Sequence, residues 1–362
     1  MPAAKKPWRQ ARKRTKVGLI KKISLKHAIM KICYIILMLV NISLAPATAN
    51  GIPDAHLARI SFLVKTILHG DKADSITPLS GGFSSPGMYK ISVKGQSYVV
   101  RFSNDQWTKN DREREIHAMK IGSDLGLAPK LLYEDARDGV ILMAYLDKET
   151  PAPWLNLTDA YINRVAKRMR HLHDGPAFKP YGSIFDSIRE VSATLKGDRL
   201  DLIQRALALN TKLEEELQEK LLSKPCHNDL HPDNTIDVGD QIYFIDWEEA
   251  GPGDPFRDLA TYALYAAMTP AQERTFLKAY LDHEPSAQDI QKYYKVKQLT
   301  LIYYALVMIM LAQQQGHELP DVDEITQLPA LQDTHPSKYF ADGGTFAILR
   351  LAFILLQEAM KA

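Results

Sequence analysis

The chain has 362 residues, of which 46% are hydrophobic and 24% are charged, so it is long enough for two lobes with hydrophobic cores. This composition excludes disordered and collagen-like chains. Eleven of the 45 basic residues and none of the 43 acidic residues lie between Lys5 and Lys31, and the remainder carries a formal charge of −9. An acidic body argues against nucleic-acid binding and favours a small cationic partner.

The chain contains two cysteines, Cys33 and Cys226. One lies in an apolar run and the other beside the most polar motif of the chain, so we do not expect a disulfide framework. No Cys-x-x-Cys spacing occurs, which excludes zinc sites built on paired cysteines.

An apolar run over residues 32–40 (ICYIILMLV) follows Lys31, and small residues ending at Ala49 follow it. This order is typical of a secretory signal peptide cleaved after Ala49. The run is about half of the roughly 20 residues that a spanning helix needs, so we expect residues 1–49 to direct export rather than to anchor the chain. Three alternatives stay open: an uncleaved membrane anchor, a segment without a targeting role in a cytoplasmic protein, and a start of translation at Met30.

The next part of the chain is rich in predicted strands. Amphipathic and alternating patterns predict, in order, a helix over 52–68, a hairpin over 88–93 and 96–102, a helix ending at Gly126, and strands over 131–133 and 140–145. Asn110, with Glu113 three residues later, is predicted to cap the second helix. We therefore expect residues 50–146 to form a β-rich lobe with one key helix, the N-lobe.

Pro151 and Pro153 separate this part from a mainly helical lobe over residues 147–362, the C-lobe. Asn156 or Asp159 is predicted to cap its first helix. The later helices are predicted over about 185–221, 256–268, 270–283, 287–315 and 344–361. A short polar hairpin interrupts them, and the fold class is therefore α+β.

That polar hairpin carries the residues with the clearest chemistry. The sequence reads CHNDLHPDN over 226–234 and IYFIDWE over 242–248. Asp229 precedes Asn234 by five residues, and Asp246 follows twelve residues later at the end of an apolar strand, a spacing typical of phosphoryl transfer. We predict that Asp229 is the catalytic residue, which accepts the proton of an acceptor hydroxyl. Asn234 and Asp246 are the predicted oxygen ligands of Mg²⁺ on ATP, held in register by a Gly239-Asp240 turn.

Histidines near this motif allow a different interpretation. His227 and His231, together with Asp229, could bind a transition metal. Pro232 argues against a continuous helix carrying both histidines, so we expect His227 to brace the loop. His171 and His173 end a predicted helix and are likewise expected to have structural roles.

Together, the two stretches resemble the aminoglycoside phosphotransferase and choline/ethanolamine kinase superfamily over roughly residues 60–310. The resemblance implies a protein-kinase-like two-lobed fold, the cofactors ATP and Mg²⁺, and a small hydroxylated acceptor. Asp254 and Asp258 match the family pattern after the metal-binding aspartate, and the resemblance implies that this pair braces the catalytic loop. Favourable charge at a helix N-terminus is the alternative role for Asp258.

The resemblance also assigns the nucleotide site of the N-lobe. A glycine-rich loop before the hairpin would cover the phosphates through backbone N–H groups and serine hydroxyls, its residues being Gly81, Gly82, Ser84 and Ser85. The segment with Met143 and Tyr145 resembles the hinge that binds adenine through its backbone. Both segments also fit ordinary roles, as a turn and as an apolar strand.

Arg101 occupies the strand position where kinases usually place a lysine and where choline-kinase-like relatives place an arginine. It would bind the α and β phosphates and pair with a helix carboxylate. Glu115 fits the family spacing better than Glu113, which we expect to serve in the helix cap. A surface arginine on an edge strand is the alternative.

The predicted acceptor is a small cationic metabolite, with choline or ethanolamine first and thiamine or an aminoglycoside as alternatives. Glu248 would supply a carboxylate for its head group, and Tyr304 is either a core residue or a ligand. Choline kinases carry tryptophans in the segment where this chain has Tyr303 and Tyr304. Two rivals are a non-catalytic exported kinase-fold binding protein and an exported protein kinase. Membrane contact is expected only through an uncleaved N-terminal segment.

If residues 32–49 belong to a cleaved signal, the mature protein should begin at or near Asn50 and a reporter fused after it should be active outside the cytoplasm. N-terminal sequencing of protein from its native cell tests this expectation. An intact N-terminus at Met1 or Met30, with all material in the cytosol, would contradict export.

Overall fold

The computed structural model describes residues 51–79, 87–103, 107–147, 157–196, 200–334 and 336–361. The predicted signal segment and the predicted phosphate loop with Gly81, Gly82, Ser84 and Ser85 lie outside the described residues, so both stay predictions. Asn156, one of the two residues predicted to cap the first helix of the C-lobe, also lies outside the described residues.

An antiparallel five-stranded sheet with the order β1-β2-β3-β5-β4 forms the centre of the N-lobe. Its strands are β1 (Ser75–Pro78), β2 (Gly87–Val93), β3 (Gln96–Phe102), β4 (Leu131–Asp135) and β5 (Val140–Ala144). Lys94 and Gly95 both have positive φ, at 53° and 77°, which matches the twist of a tight two-residue hairpin and fixes Val93 opposite Gln96. Strand β1 was not predicted, because it is a short, mostly exposed edge strand that ends in proline.

Two helices flank this sheet. Helix α1 (Asp54–Thr66) buries Ile60, Leu63 and Val64 in a core shared with the sheet. Helix α2 (Lys109–Asp124) instead shares the large core of the C-lobe. The two lobes are therefore joined through α2.

The cap of α2 differs from the prediction. Thr108, not Asn110, is the N-cap: its hydroxyl accepts the N–H of Asp111 at 3.2 Å, and the Asp111 carboxylate accepts the N–H of Thr108 at 3.2 Å. Glu113 is consequently free to point to the surface. The helix begins two residues earlier than predicted because Thr108 supplies the cap in extended backbone.

The C-lobe contains eight helices within the described residues: α3 (Asp159–His173), α4 (Ile184–Thr194), α5 (Asp201–Leu217), α6 (Pro255–Tyr265), α7 (Pro270–Leu281), α8 (Ala287–Gln314), α9 (Val322–Thr326) and α10 (Pro336–Ala359). The single helix predicted over 185–221 is two helices, because Leu195 turns to extended backbone at ψ 136°. Thr158 caps α3 in place of the predicted residues. Helix α10 starts eight residues before the predicted position, and the predicted lobe boundary falls between β5 and α3.

Helix α8 forms the axis of the C-lobe core. Within the described residues it is the helix that is long and apolar enough to cross a membrane. Nearly all of its residues from Leu299 to Ala312 are buried against neighbouring helices, α10 among them. It therefore has the environment of a core helix in a globular protein.

Two short antiparallel pairs carry the polar motif. Strand β6 (Lys224–Cys226) pairs with β9 (Gly251–Gly253), and β7 (Thr235–Asp237) pairs with β8 (Ile242–Phe244). The predicted Gly239-Asp240 turn lies between β7 and β8, and Gly239 has φ 84°. The α+β fold with a β-rich N-lobe and a mainly helical C-lobe is confirmed.

Gly122 on α2 allows close contact between α2 and the C-lobe, since a Cβ there would lie 2.7 Å from Cζ2 of the buried Trp247 ring. Helix propensity alone would make Gly122→Ala stabilising by about 1 kcal/mol. We expect it instead to destabilise the protein by about 1–3 kcal/mol, because the ring has no room to move. Denaturant unfolding measures the difference. Lys120→Ala, on the exposed face of the same helix, is the control, and a Gly122→Ala protein of equal or higher stability would contradict this packing.

Candidate active site

One carboxylate of α6, that of Asp258, anchors the backbone of the catalytic loop (residues 227–234). Asp258 accepts the backbone N–H groups of His227 at 2.8 Å and Asn228 at 2.7 Å, and it lies 3.0 Å from Nε2 of His173. Burial by itself would raise the pKa of Asp258, but the hydrogen bond from His173 and the other polar contacts lower it below its usual value. An ionised Asp258 therefore braces the loop, as predicted.

Asp254, the other member of the acidic pair, acts one step away from the loop. It caps α6 by accepting the N–H of Phe256 at 3.0 Å. Its second oxygen accepts the N–H of Leu222 at 2.8 Å and the ammonium of Lys292 at 2.6 Å. The two carboxylates thus have different roles: Asp258 binds the loop itself, and Asp254 caps the helix that carries Asp258.

Asn228 connects the catalytic loop to the segment 246–250. It adopts left-handed backbone with φ 65°, which asparagine tolerates better than most residues. Its side-chain amide donates to the carbonyl of Glu249 at 3.1 Å. Gly253 leaves room for this side chain, because a Cβ at that position would lie 2.6 Å from Asn228 Oδ1.

Asp229 is buried, with only 3% of its surface exposed, and its carboxylate is oriented by a tyrosine. The Tyr304 hydroxyl donates to Asp229 Oδ1 at 2.7 Å. Burial raises the pKa of Asp229 to about 7, while the Tyr304 hydrogen bond and the charge of Arg257 oppose this rise. Tyr304 therefore belongs to the core of α8 and contacts the predicted catalytic residue, and its role as a ligand of the acceptor stays a prediction.

Asn234 and Asp246 approach each other across β7 and β8. Asn234 donates its side-chain amide to the carbonyl of Asp229 at 3.0 Å, and its own carbonyl accepts the N–H of Ile245 at 3.0 Å. Asp246 follows in left-handed backbone with φ 68°. Asn234 Oδ1 is buried without a hydrogen-bond partner. A buried oxygen of this kind beside a carboxylate fits a hard cation such as Mg²⁺, so the two predicted ligands are suitable.

The predicted ion pair of the N-lobe is present. Arg101 on β3 pairs with Glu115 on α2, and both side chains are buried. Glu113 is partly exposed and lies near Lys109 and Lys179, at 3.4 and 3.7 Å. The prediction that Arg101 pairs with Glu115 rather than with Glu113 is therefore confirmed.

Arg114 connects α2 with the C-lobe and was not identified from the sequence. Its guanidinium donates to the carbonyl of Ala250 at 2.8 Å and to that of Glu248 at 2.5 Å. It also lies 4.0 Å from the centre of the Tyr181 ring, and the Tyr181 hydroxyl donates to Glu249 at 2.7 Å. Adjacent residues of one helix thus contact the predicted nucleotide site and the predicted metal segment.

Glu248 lies deeper than an acceptor-binding residue needs to be. Only 1% of its surface is exposed, and neither carboxylate oxygen has a hydrogen-bond partner. Burial, followed by the charges of Asp246, Glu249 and Glu115, raises the pKa of Glu248 well above its usual value. The charged residues that act on Glu248 therefore include a predicted metal ligand, Asp246, and the partner of Arg101, Glu115. The role of Glu248 in binding the acceptor stays a prediction.

The hinge prediction is only partly compatible with the structure. Met143 pairs with Val99 in the sheet, and the N–H of Tyr145 donates to the carbonyl of Ser97 at 3.2 Å. The Tyr145 ring lies 3.7 Å from the ammonium of Lys90. The Tyr145 N–H is already used within the sheet, so a hydrogen bond to adenine would come from another backbone group of this segment, and the hinge role stays a prediction.

The histidines have structural roles within the described residues. His227 Nε2 lies 2.9 Å from the carbonyl of Ile245, and burial lowers the pKa of His227 to about 4. The described residues whose ligand atoms cluster closely enough for a metal are His173, Cys226 and Asp258. Both ring nitrogens of His173 are engaged, by the hydroxyl of Tyr280 at 2.9 Å and by Asp258. This arrangement favours bracing over metal binding.

Comparison with known proteins agrees with this geometry. The chain matches the phosphotransferase enzyme family over residues 75–291. It is 27% identical over 199 residues to protein LicA of Haemophilus influenzae, covering 52% of this chain and 74% of that protein. It is 46% identical over 159 residues to a LicA homologue of Metamycoplasma hominis, covering 40% of this chain and 62% of that protein.

Two solved structures show the same fold. A choline/ethanolamine kinase family protein from Mesorhizobium loti superposes with a TM-score of 0.61 at 18% identity, covering 83% of this chain and 98% of that one. Choline kinase LicA from Streptococcus pneumoniae superposes with a TM-score of 0.57 at 21% identity, covering 74% and 94%. The protein-kinase-like fold implied by the sequence motifs is therefore confirmed.

Arg101→Met should weaken ATP binding and lower turnover, and Glu115→Gln should give a milder defect in the same direction, because Glu115 acts through the position of Arg101. Titration with a fluorescent ATP analogue and steady-state kinetics measure the two effects. Glu113→Gln, on the exposed face of α2, is the matched control. A silent Glu115→Gln beside a damaging Glu113→Gln would show that the functional pair is different.

Proposed function

We propose a small cationic acceptor for this chain, which belongs to the phosphotransferase enzyme family. It is an ATP-dependent phosphotransferase that acts on a hydroxyl group. Choline and ethanolamine are the first candidates, and thiamine or an aminoglycoside are the alternatives. The similarity to protein LicA and the fold shared with choline kinase LicA support this choice.

The observation that carries the proposal is the environment of Asp229. Its carboxylate is buried at the end of a cluster of tyrosine rings in which Tyr304 lies 5.3 Å, centre to centre, from both Tyr265 and Tyr303. The charge of the buried Glu249 carboxylate also acts on Asp229. Aromatic faces and carboxylates attract an ammonium group, which favours a cationic acceptor.

The reaction follows from the positions of these residues. Asp229 orients the acceptor hydroxyl towards the γ-phosphate and accepts its proton as the new P–O bond forms and the bond to ADP breaks. Tyr304 keeps one carboxylate oxygen of Asp229 fixed, which leaves the other for the acceptor. Asn234 and Asp246 would hold Mg²⁺, which neutralises phosphate charge when it is bound. Arg101 positions the remaining phosphates.

A non-catalytic binding protein is the rival from another class. Such a protein has no need of Asp229, Asn234 and Asp246 together, nor of left-handed backbone at Asp246 and at Asn228, the residue before Asp229. Backbone strain of this kind costs about 1–3 kcal/mol per residue and persists where a site requires it. We therefore propose an active enzyme.

Asp229→Asn and Asp246→Ala should each lower phosphorylation by about 10² or more, since the first removes the proton acceptor and the second an oxygen ligand. ADP release with choline, ethanolamine, thiamine, an aminoglycoside and a neutral sugar measures activity, and circular dichroism verifies the fold. Asp240→Asn, in the exposed β7–β8 turn, is the matched control. Wild-type turnover in either of the first two variants would contradict the assignment of a kinase site.

A further inference from the structure

One buried cation near the proposed acceptor site, Arg257, forms no ion pair within 4.0 Å among the described residues. Arg257, in the first turn of α6, is only 6% exposed, and its Nε atom is buried without a hydrogen-bond partner. In the described part of the chain its guanidinium forms no hydrogen bond and no ion pair within 4.0 Å, in contrast to Arg101 and Arg114. A guanidinium taken out of water without a partner is unfavourable, so the site is complete only when another group supplies acceptor oxygens.

The position of Arg257 relates it to the acceptor rather than to the nucleotide. Its guanidinium carbon lies 5.1 Å from the centre of the Tyr303 ring. Tyr303 contacts Tyr304, whose hydroxyl holds Asp229. This cation–π contact leaves the buried Nε–H group of the guanidinium without an acceptor.

Three buried carboxylates act on the charge of Arg257 without forming an ion pair with it within 4.0 Å: Glu249, Asp258 and Asp229. Asp258 already accepts three hydrogen bonds from the loop and His173, and Glu249 already accepts one from Tyr181. An acceptor that carries only a positive charge would pair with Glu249 and leave Arg257 without a partner, beside a second cation.

We propose that Arg257 binds an anionic group of the acceptor, so that the acceptor is zwitterionic: a hydroxyl for Asp229, an ammonium for Glu249 and a carboxylate for Arg257. The inference rests on the proposed kinase function and goes beyond its named candidates, because choline, ethanolamine, thiamine and aminoglycosides carry no carboxylate. A planar guanidinium suits a carboxylate because it can donate two parallel hydrogen bonds. Arg257 is thereby a specificity-determining residue, and the proton transfer at Asp229 is unchanged.

Two matched pairs of compounds test the inference, since each pair differs only by a carboxylate: ethanolamine with L-serine, and 3-aminopropanol with L-homoserine. We expect the carboxylated member to have a kcat/KM at least tenfold higher. Arg257→Gln should lower kcat/KM for the carboxylated members by about 10- to 100-fold and change it less than about threefold for the others. Arg257→Lys should recover part of the loss, and Arg274→Gln, at an exposed arginine, is the control.

Binding is measured separately by calorimetry with the same four compounds, and thermal unfolding verifies that Arg257→Gln folds. Tighter binding of the carboxylated members, lost in Arg257→Gln, supports the inference even if no compound is phosphorylated, in which case the proposed function alone fails. Equal or weaker binding of the carboxylated members overturns the inference, whatever the activity. An equal loss of kcat/KM for both members in Arg257→Gln also overturns it, because Arg257 would then act on the transferred phosphoryl group.

Discussion

The contact between Asp258 and the backbone of the catalytic loop is the constraint on which the site depends. A buried carboxylate that accepts the N–H groups of His227 and Asn228 fixes two consecutive residues and leaves Asn228 in left-handed backbone. Asp229 comes next, so its direction is set before any ligand binds. His173 and the start of α6 hold Asp258 in turn. The helical core of the C-lobe therefore fixes the direction of the Asp229 side chain.

Helix α2 supplies the second constraint, this time between the lobes. Arg114 and Glu115 are neighbours in the chain and therefore point in directions about 100° apart on the helix. One binds carbonyls of the segment 246–250 and the other binds Arg101 in the sheet. The predicted phosphate-binding side chain and the segment of the predicted metal ligand are thus both held by α2, and Gly122 lets this helix lie against the Trp247 ring.

The sequence predicted those parts of the molecule in which spacing along the chain determines the structure. The β2–β3 hairpin, the bracing by Asp258 and the Arg101–Glu115 pair agree with the prediction, because turn chemistry and motif spacing are local. The break at Leu195 and the cap at Thr108 depend on tertiary packing and on competition between neighbouring caps. Arg114 and Arg257 were missed because their partners lie far along the chain or outside it; their adjacency to Glu115 and Asp258 was the available signal.

The shared helix has a consequence for the order of events at the site. A ligand that repositions Glu115 or Arg101 changes the orientation of α2, and α2 cannot turn without moving the carbonyls held by Arg114 and, through Tyr181, the carboxylate of Glu249. An acceptor bound at Glu249, as proposed, would therefore be coupled to the nucleotide through α2, and by linkage the coupling free energy is the same whichever ligand binds first. Discrimination between acceptors would then take place in the ternary complex, where both ligands act on one helix.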